Sequence, residues 1–111
     1  MAPELRVSID LRPGLSIGPE TGELLTAIIT TGSISAAARA CEMSFRKAWY
    51  IIDGLNASFV APLVKTTKGG KEHGGSQLTG TGREVLALYR AIVTNAQSSP
   101  SELQRLTALL A

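Results

Sequence analysis

The sequence predicts a mainly α-helical fold with a small β-hairpin, and three observations carry that reading. Apolar residues recur at helical spacing in four stretches between Pro19 and Ala96. A serine, threonine or proline suited to a helix start opens each of them: Pro19, Ser35, Ser44 and Thr79. Two short apolar runs around Val64 and Leu78 flank a glycine-rich loop, the pattern of one hairpin. A chain of 111 residues amounts to one domain. We take it as residues 1–111, with a core at 19–97 and a C-terminal helix at 100–110.

Composition removes several function classes. The hydrophobic fraction of 44% suffices for a core without metals or disulfides. No apolar run approaches the roughly 20 residues that span a bilayer. The start, Met1-Ala2-Pro3-Glu4-Leu5-Arg6, lacks the basic and apolar segments of a signal peptide. The expected location is the cytoplasm, with no membrane partner. A single cysteine, Cys41, makes no internal disulfide and no zinc cluster, so no metal or other cofactor is expected. Net charge is +2. Arg39 to Arg90 holds eight Lys or Arg against four Asp or Glu, and the remainder three against five. Positive charge is thus concentrated in the middle and C-terminal half, which favours a polyanionic partner.

The elements run in order along the chain. Arg6 to Leu11 alternates as a strand, broken by Pro13-Gly14. Pro19-Glu20 opens a first helix that Gly32 ends. A short second helix starts at Ser35, with Ile34, Ala37, Ala38 and Cys41 as its buried stripe. Glu42-Met43-Ser44 links it to a third helix over Phe45–Ser58. At 100° per residue, Phe45, Ala48, Ile52, Leu55 and Phe59 share an apolar face. Arg46, Lys47, Tyr50, Asp53, Gly54 and Ala57 lie opposite, with Trp49 and Ile51 at the borders. Strands at Leu63–Thr67 and Ser76–Leu78 flank the loop at residues 68–75. Thr79 caps a fourth helix reaching Ala96. Ser99-Pro100-Ser101-Glu102 has the spacing of a capping box for a last helix, whose stripe is Leu103, Leu106 and Leu110.

Two short helices with a three-residue link, and then a hairpin, describe a winged helix-turn-helix. An α-helix fits the major groove of DNA and reads base edges from its N-terminal half. The expected DNA contacts are Ser33, Ser35, Ser44, Arg46, Lys47 and Tyr50 on the helices, and Lys65, Lys68, Lys71 and His73 on the wing. The expected partner is double-stranded DNA. The fourth helix carries apolar residues on more than one stripe, and the last helix adds another. That surplus predicts a homodimer through Leu25, Ile29, Leu86, Tyr89, Val93, Leu103, Leu106 and Leu110.

An enzyme is not expected. No G-x-x-x-x-G-K-[ST] run forms a phosphate loop. Cys41 sits on an apolar stripe as a structural thiol, and His73 lies in the wing. No paired carboxylates mark a cleft. Trp49 reads as partly core, anchoring the third helix against the wing.

Thr31-Gly32-Ser33-Ile34-Ser35-Ala36-Ala37-Ala38 resembles the opening of LysR-type and ModE-type helix-turn-helix domains. The third helix separates the two. Ser44-Phe45-Arg46-Lys47-Ala48-Trp49 and then Leu55-Asn56 resemble the ModE signature. Pro62-Leu63-Val64, Gly69-Gly70-Lys71, Gly74-Gly75 and Leu78-Thr79 with Gly82 continue it, so the resemblance spans Gly22 to Val93. Phe45 stands where that family often has tyrosine, and Lys47 where a small residue is common. The resemblance implies a DNA-binding, dimerising domain of a molybdate-responsive regulator, linked to molybdenum metabolism and to a palindromic operator. It covers only the DNA-binding half, so no oxyanion-binding domain and no molybdate site are expected within this chain. The competing reading is a winged-helix protein-interaction module, or a partner subunit of a sensor regulator.

Overall fold

The structure, a computed structural model, describes residues 3–67 and 75–111. It is mainly helical with two small antiparallel hairpins. The order is β1 (Ile9–Arg12), β2 (Leu15–Ile17), α1 (Pro19–Thr31), α2 (Ile34–Ala40), α3 (Phe45–Ser58), β3 (Val64–Thr66), β4 (Ser76–Leu78), α4 (Gly80–Ala96) and α5 (Pro100–Ala108).

The N-terminal region departs from expectation. The strand begins at Ile9 rather than Arg6, and it does not stand alone. Pro13-Gly14 turns the chain into β2, with Gly14 at φ 83°, a conformation that needs no Cβ. The pairing slips between Asp10 and Arg12 as a bulge. Leu15-Ser16-Ile17 is too short for alternation to reveal a strand, which is why only one was legible.

Helix α1 starts with Pro19 at its first position and ends at Gly32. Gly32 takes φ 72°, and its N–H bonds the Ile28 carbonyl at 2.8 Å. Helix α2 starts one residue earlier than its expected cap. Ser33, not Ser35, is the N-cap, its Oγ accepting from the Ala36 N–H at 3.1 Å. Ser35 lies inside the helix, and its hydroxyl accepts from Arg39 Nη1. The link to α3 is a Schellman turn: the Glu42 N–H reaches Arg39 O, and the Met43 N–H reaches Ala38 O. Glu42 adopts φ 55° there, a left-handed conformation that β-carbons disfavour.

The core joins α1 (Leu24, Leu25, Ile28), α2 (Ile34, Ala37, Ala38) and α3 (Ala48, Ile52, Leu55) to Leu63, Val64, Leu78 and Leu86. Ala37 and Ala38 of α2 are buried, and their small size lets α1 and α3 close around a seven-residue helix. Gly82 sits against the Leu63 backbone, where any Cβ would overlap the carbonyl. Thr79 locks the same junction: its Oγ1 donates to Pro62 O at 2.6 Å and accepts from the Gly82 N–H at 3.0 Å.

Helix α5 behaves differently. Pro100 occupies its first turn, but the expected capping box does not form. Ser99 makes no side-chain cap bond, and Ser101 Oγ donates instead to Glu102. No residue of α5 is buried, and it does not fold back to cover Leu88 or Ile92 of α4. The radius of gyration is 16.5 Å, against about 13 Å for a compact domain of this size. Among the described residues, no helix is long and apolar enough to cross a membrane.

Candidate nucleic-acid interface

The outward face of α3 is built by its cap and its register. Ser44 Oγ accepts from the Lys47 N–H at 3.0 Å, which satisfies one free donor of the first turn and leaves the hydroxyl proton available. Ala48, Ile52 and Leu55 are buried, which turns Arg46, Tyr50, Asp53, Gly54 and Ala57 to solvent, as the periodicity predicts. Tyr50 is 80% exposed. Arg46 is exposed and makes no ion pair among the described residues.

Lys47 is placed differently from its neighbour. Its Nζ lies 2.8 Å from Glu20 Oε2 in the first turn of α1, and both side chains are half-exposed. An exposed pair of this kind contributes about 0–1 kcal/mol, so the lysine remains able to exchange partners. Periodicity puts Lys47 on the polar face but carries no sign of its partner, because the pairing depends on how α1 and α3 cross.

Phe45 is the main correction on this helix. Periodicity assigns it to the apolar face, yet it is 52% exposed. It is the first helical residue, and the core begins one turn later at Ala48. Its ring meets Trp49 edge to face, with centroids 6.1 Å apart. Trp49 is half-buried against the core, as expected of a border residue.

Asn56 is a residue that sequence reasoning named only as part of a motif. Its Oδ1 accepts from the backbone N–H groups of Leu63 (2.8 Å) and Val64 (3.1 Å), while Nδ2 donates to Val64 O. The amide therefore staples the end of α3 to β3. The available signal was its phase: at about 100° per residue it falls on the buried side of α3, between Ile52 and Trp49. A polar side chain there needs partners.

The hairpin holds its register through Val64 opposite Leu78, Lys65 opposite Gln77 and Thr66 opposite Ser76. Lys65 is exposed on β3. The Ser76 N–H bonds Gly32 O at 2.8 Å, which ties β4 to the end of α1. The expected wing contacts Lys68, Lys71 and His73 lie outside the described residues. Of the helix-start serines, Ser33 is half-buried with its Oγ engaged in the cap, and Ser35 is exposed beside Arg39.

Cys41 is half-buried at the end of α2. Burial raises its pKa, and the nearby Glu23 and Glu20 act in the same direction. The thiol form is favoured, which is the opposite of an activated nucleophile.

The expected dimer residues divide into two groups. Leu25 and Leu86 are spent in the chain's own core. Tyr89 is buried too: its ring lies over Gly22, and its hydroxyl donates to Val7 O at 2.7 Å. These three are corrected to internal packing residues. Ile29, Leu106 and Leu110 are exposed, and Val93 and Leu103 are half-buried. Three apolar residues missing from that group, Leu88 (58% exposed), Ile92 and Leu109, are exposed as well.

No family model matches the chain. Curated relatives do. It is 39% identical over 94 residues to the molybdenum transport protein ModE of Azotobacter vinelandii, an alignment covering 85% of this chain and 35% of that protein. It is 44% identical over 81 residues to the molybdenum-pterin-binding protein MopB of Rhodobacter capsulatus, covering 73% of this chain and 30% of that protein. It is 34% identical over 89 residues to the DNA-binding transcriptional dual regulator ModE of Escherichia coli K12, covering 80% of this chain and 34% of that protein. The chain thus spans about a third of the length of the curated relatives it matches. Such alignments define a domain shared with regulatory proteins. Over that shared third the chain is similar to ModE proteins, and the ModE resemblance read between Gly22 and Val93 stands.

Proposed function

We propose that this chain is a winged helix-turn-helix DNA-binding domain of a molybdenum-linked transcriptional regulator, without enzymatic activity and acting in the cytoplasm. In this reading α2 and α3 are the helix-turn-helix, α3 reads bases, and the hairpin of β3 and β4 is the wing. The observation that carries it is the outward face of α3. A capped helix start presents Arg46 and Tyr50 to solvent in its N-terminal half, without competing partners among the described residues. That is the placement base reading requires. The names of the relatives support the link to molybdenum and to transcription. We take residues 1–111 as a single domain that works as a homodimer on a palindromic site, with no molybdate site of its own.

The test is affinity against salt. Binding to random duplex DNA should fall steeply, with a slope near −0.9 per neutralised phosphate. Lys68→Ala and Lys71→Ala should each weaken all sequences alike and reduce that slope by about 1. Arg46→Ala should instead cost about 1–3 kcal/mol on the specific site alone. A salt-independent chain that retains no duplex would reject DNA binding in favour of a protein-docking module.

A further inference from the structure

We propose that Phe45 is a specificity-determining residue that reads the C5 methyl group of a thymine in the major groove. The inference rests on the DNA-binding reading of α3 and extends it to a residue that the periodicity had assigned to the core. Of the chain's five aromatic side chains, three stand on the first two turns of α3: Phe45, Trp49 and Tyr50. Two of these are exposed, and Phe45 is the only one of the pair with no polar atom.

The placement of Phe45 is not explained by packing. It lies outside the core cluster and its surrounding apolar shell. Its one aromatic neighbour is Trp49, which is itself anchored against the core. That edge-to-face contact holds the phenyl ring in place at the helix start, beside Arg46. An ordered ring loses little conformational freedom on binding.

The chemistry of the groove selects the ligand. Base edges in the major groove offer hydrogen-bond donors and acceptors, and one apolar group, the thymine methyl. A phenyl ring at the N-terminus of a reading helix has no other favourable partner among base edges. Over a guanine or cytosine edge it would cover polar atoms without replacing their hydrogen bonds, which is unfavourable. Arg46 and Phe45 would then divide the work, the guanidinium taking a guanine edge and the ring taking a methyl group.

The experiment uses duplexes selected from a random pool by the wild-type protein. Each thymine is replaced in turn by uracil, which removes only the methyl group. At one thymine or more, the wild-type protein should lose about fourfold in affinity, the worth of one methyl group taken from water. Phe45→Ala should bind the thymine and uracil duplexes equally while keeping the wild-type urea midpoint, since Phe45 lies outside the core. The Phe45→Tyr variant should retain the discrimination. Selection that succeeds with no uracil effect in the wild-type protein overturns the proposal and leaves DNA binding intact. An equal uracil effect in wild type and Phe45→Ala overturns it as well. Failure to select any duplex overturns the DNA-binding reading, and the role of Phe45 falls with it.

Discussion

Two residues, Asn56 in α3 and Glu42 in the link that precedes it, carry backbone work that their side-chain types disguise. Asn56 supplies three hydrogen bonds to Leu63 and Val64, both buried. Asn56→Ala would strand these backbone groups and should cost on the order of 3 kcal/mol. Asn56→Asp keeps the two acceptor contacts but sets a carboxylate against Val64 O, so its cost should lie between zero and that of alanine. Urea midpoints of the two variants check the order. Glu42 presents the opposite case, a side chain whose removal should help. It holds φ 55° at the position of the Schellman turn where glycine is favoured. Glu42→Gly should raise stability by about 0.5–1 kcal/mol, read as a higher urea midpoint at unchanged slope. The sequence offered no sign of this, because a left-handed conformation is legible only where glycine or asparagine marks it. Phe45 misled for a related reason. Periodicity gives the angle of a residue around a helix but not whether another element reaches that far along it.

At the level of elements, two glycines on different helices have opposite meanings. Gly82 in α4 touches the Leu63 backbone, and a Cβ there would overlap a carbonyl that also anchors the Thr79 N–H. Gly82→Ala should cost more than about 3 kcal/mol, since the obstacle is main chain and cannot rotate away. Gly54 in α3 has open space around it, so Gly54→Ala should stabilise the fold by about 0.5–1 kcal/mol. Thermal unfolding of the two variants should therefore move in opposite directions. If Gly54→Ala also weakens DNA binding while raising the melting temperature, the glycine serves the close approach of DNA to the outward face. The helices themselves were largely legible. Proline at Pro19, serine at Ser44 and threonine at Thr79 marked three starts correctly, and Gly32 marked one end. The second start was misplaced because Ser33 and Ser35 both suit an N-cap, and only the backbone geometry distinguishes them. Strand β2 escaped because three residues do not define a period. The ion pair of Lys47 with Glu20 escaped because it belongs to the crossing of two helices rather than to either one.

The whole molecule leaves apolar surface that one chain does not cover. The long axis measures 59 Å against 29 and 22 Å across, and α5 buries none of its residues. Leu88 and Ile92 on α4 and Leu106, Leu109 and Leu110 at the C-terminal end are all exposed. A groove of about 800 Å3 runs between the N-terminal segment, α1 and α4, with Leu5, Val7, Ala27 and Val93 among its walls. A monomer could have hidden part of this by folding α5 back along α4, but Leu88, Ile92 and Leu106 all remain open. Exposed apolar patches of this kind mark contact surfaces, and a two-fold axis covers the same patch on both copies at once. Dimerisation would also set two reading helices roughly 34 Å apart, one turn of duplex, so each copy reads half of a palindrome. The residues that should carry the interface are Ile29, Leu88, Ile92, Val93 and Leu106, not the internally packed Leu25, Leu86 and Tyr89. Leu106→Asp tests this with little risk to the fold, because the side chain is 65% exposed within the chain. Sedimentation at micromolar concentration should show a dimer for the wild-type chain and a monomer for the variant. The variant should lose most of its affinity for a palindromic duplex while keeping its affinity for a single half-site. A wild-type monomer, or a Leu106→Asp chain with unchanged mass and unchanged palindrome affinity, would reject the dimer and leave the exposed leucines to another partner.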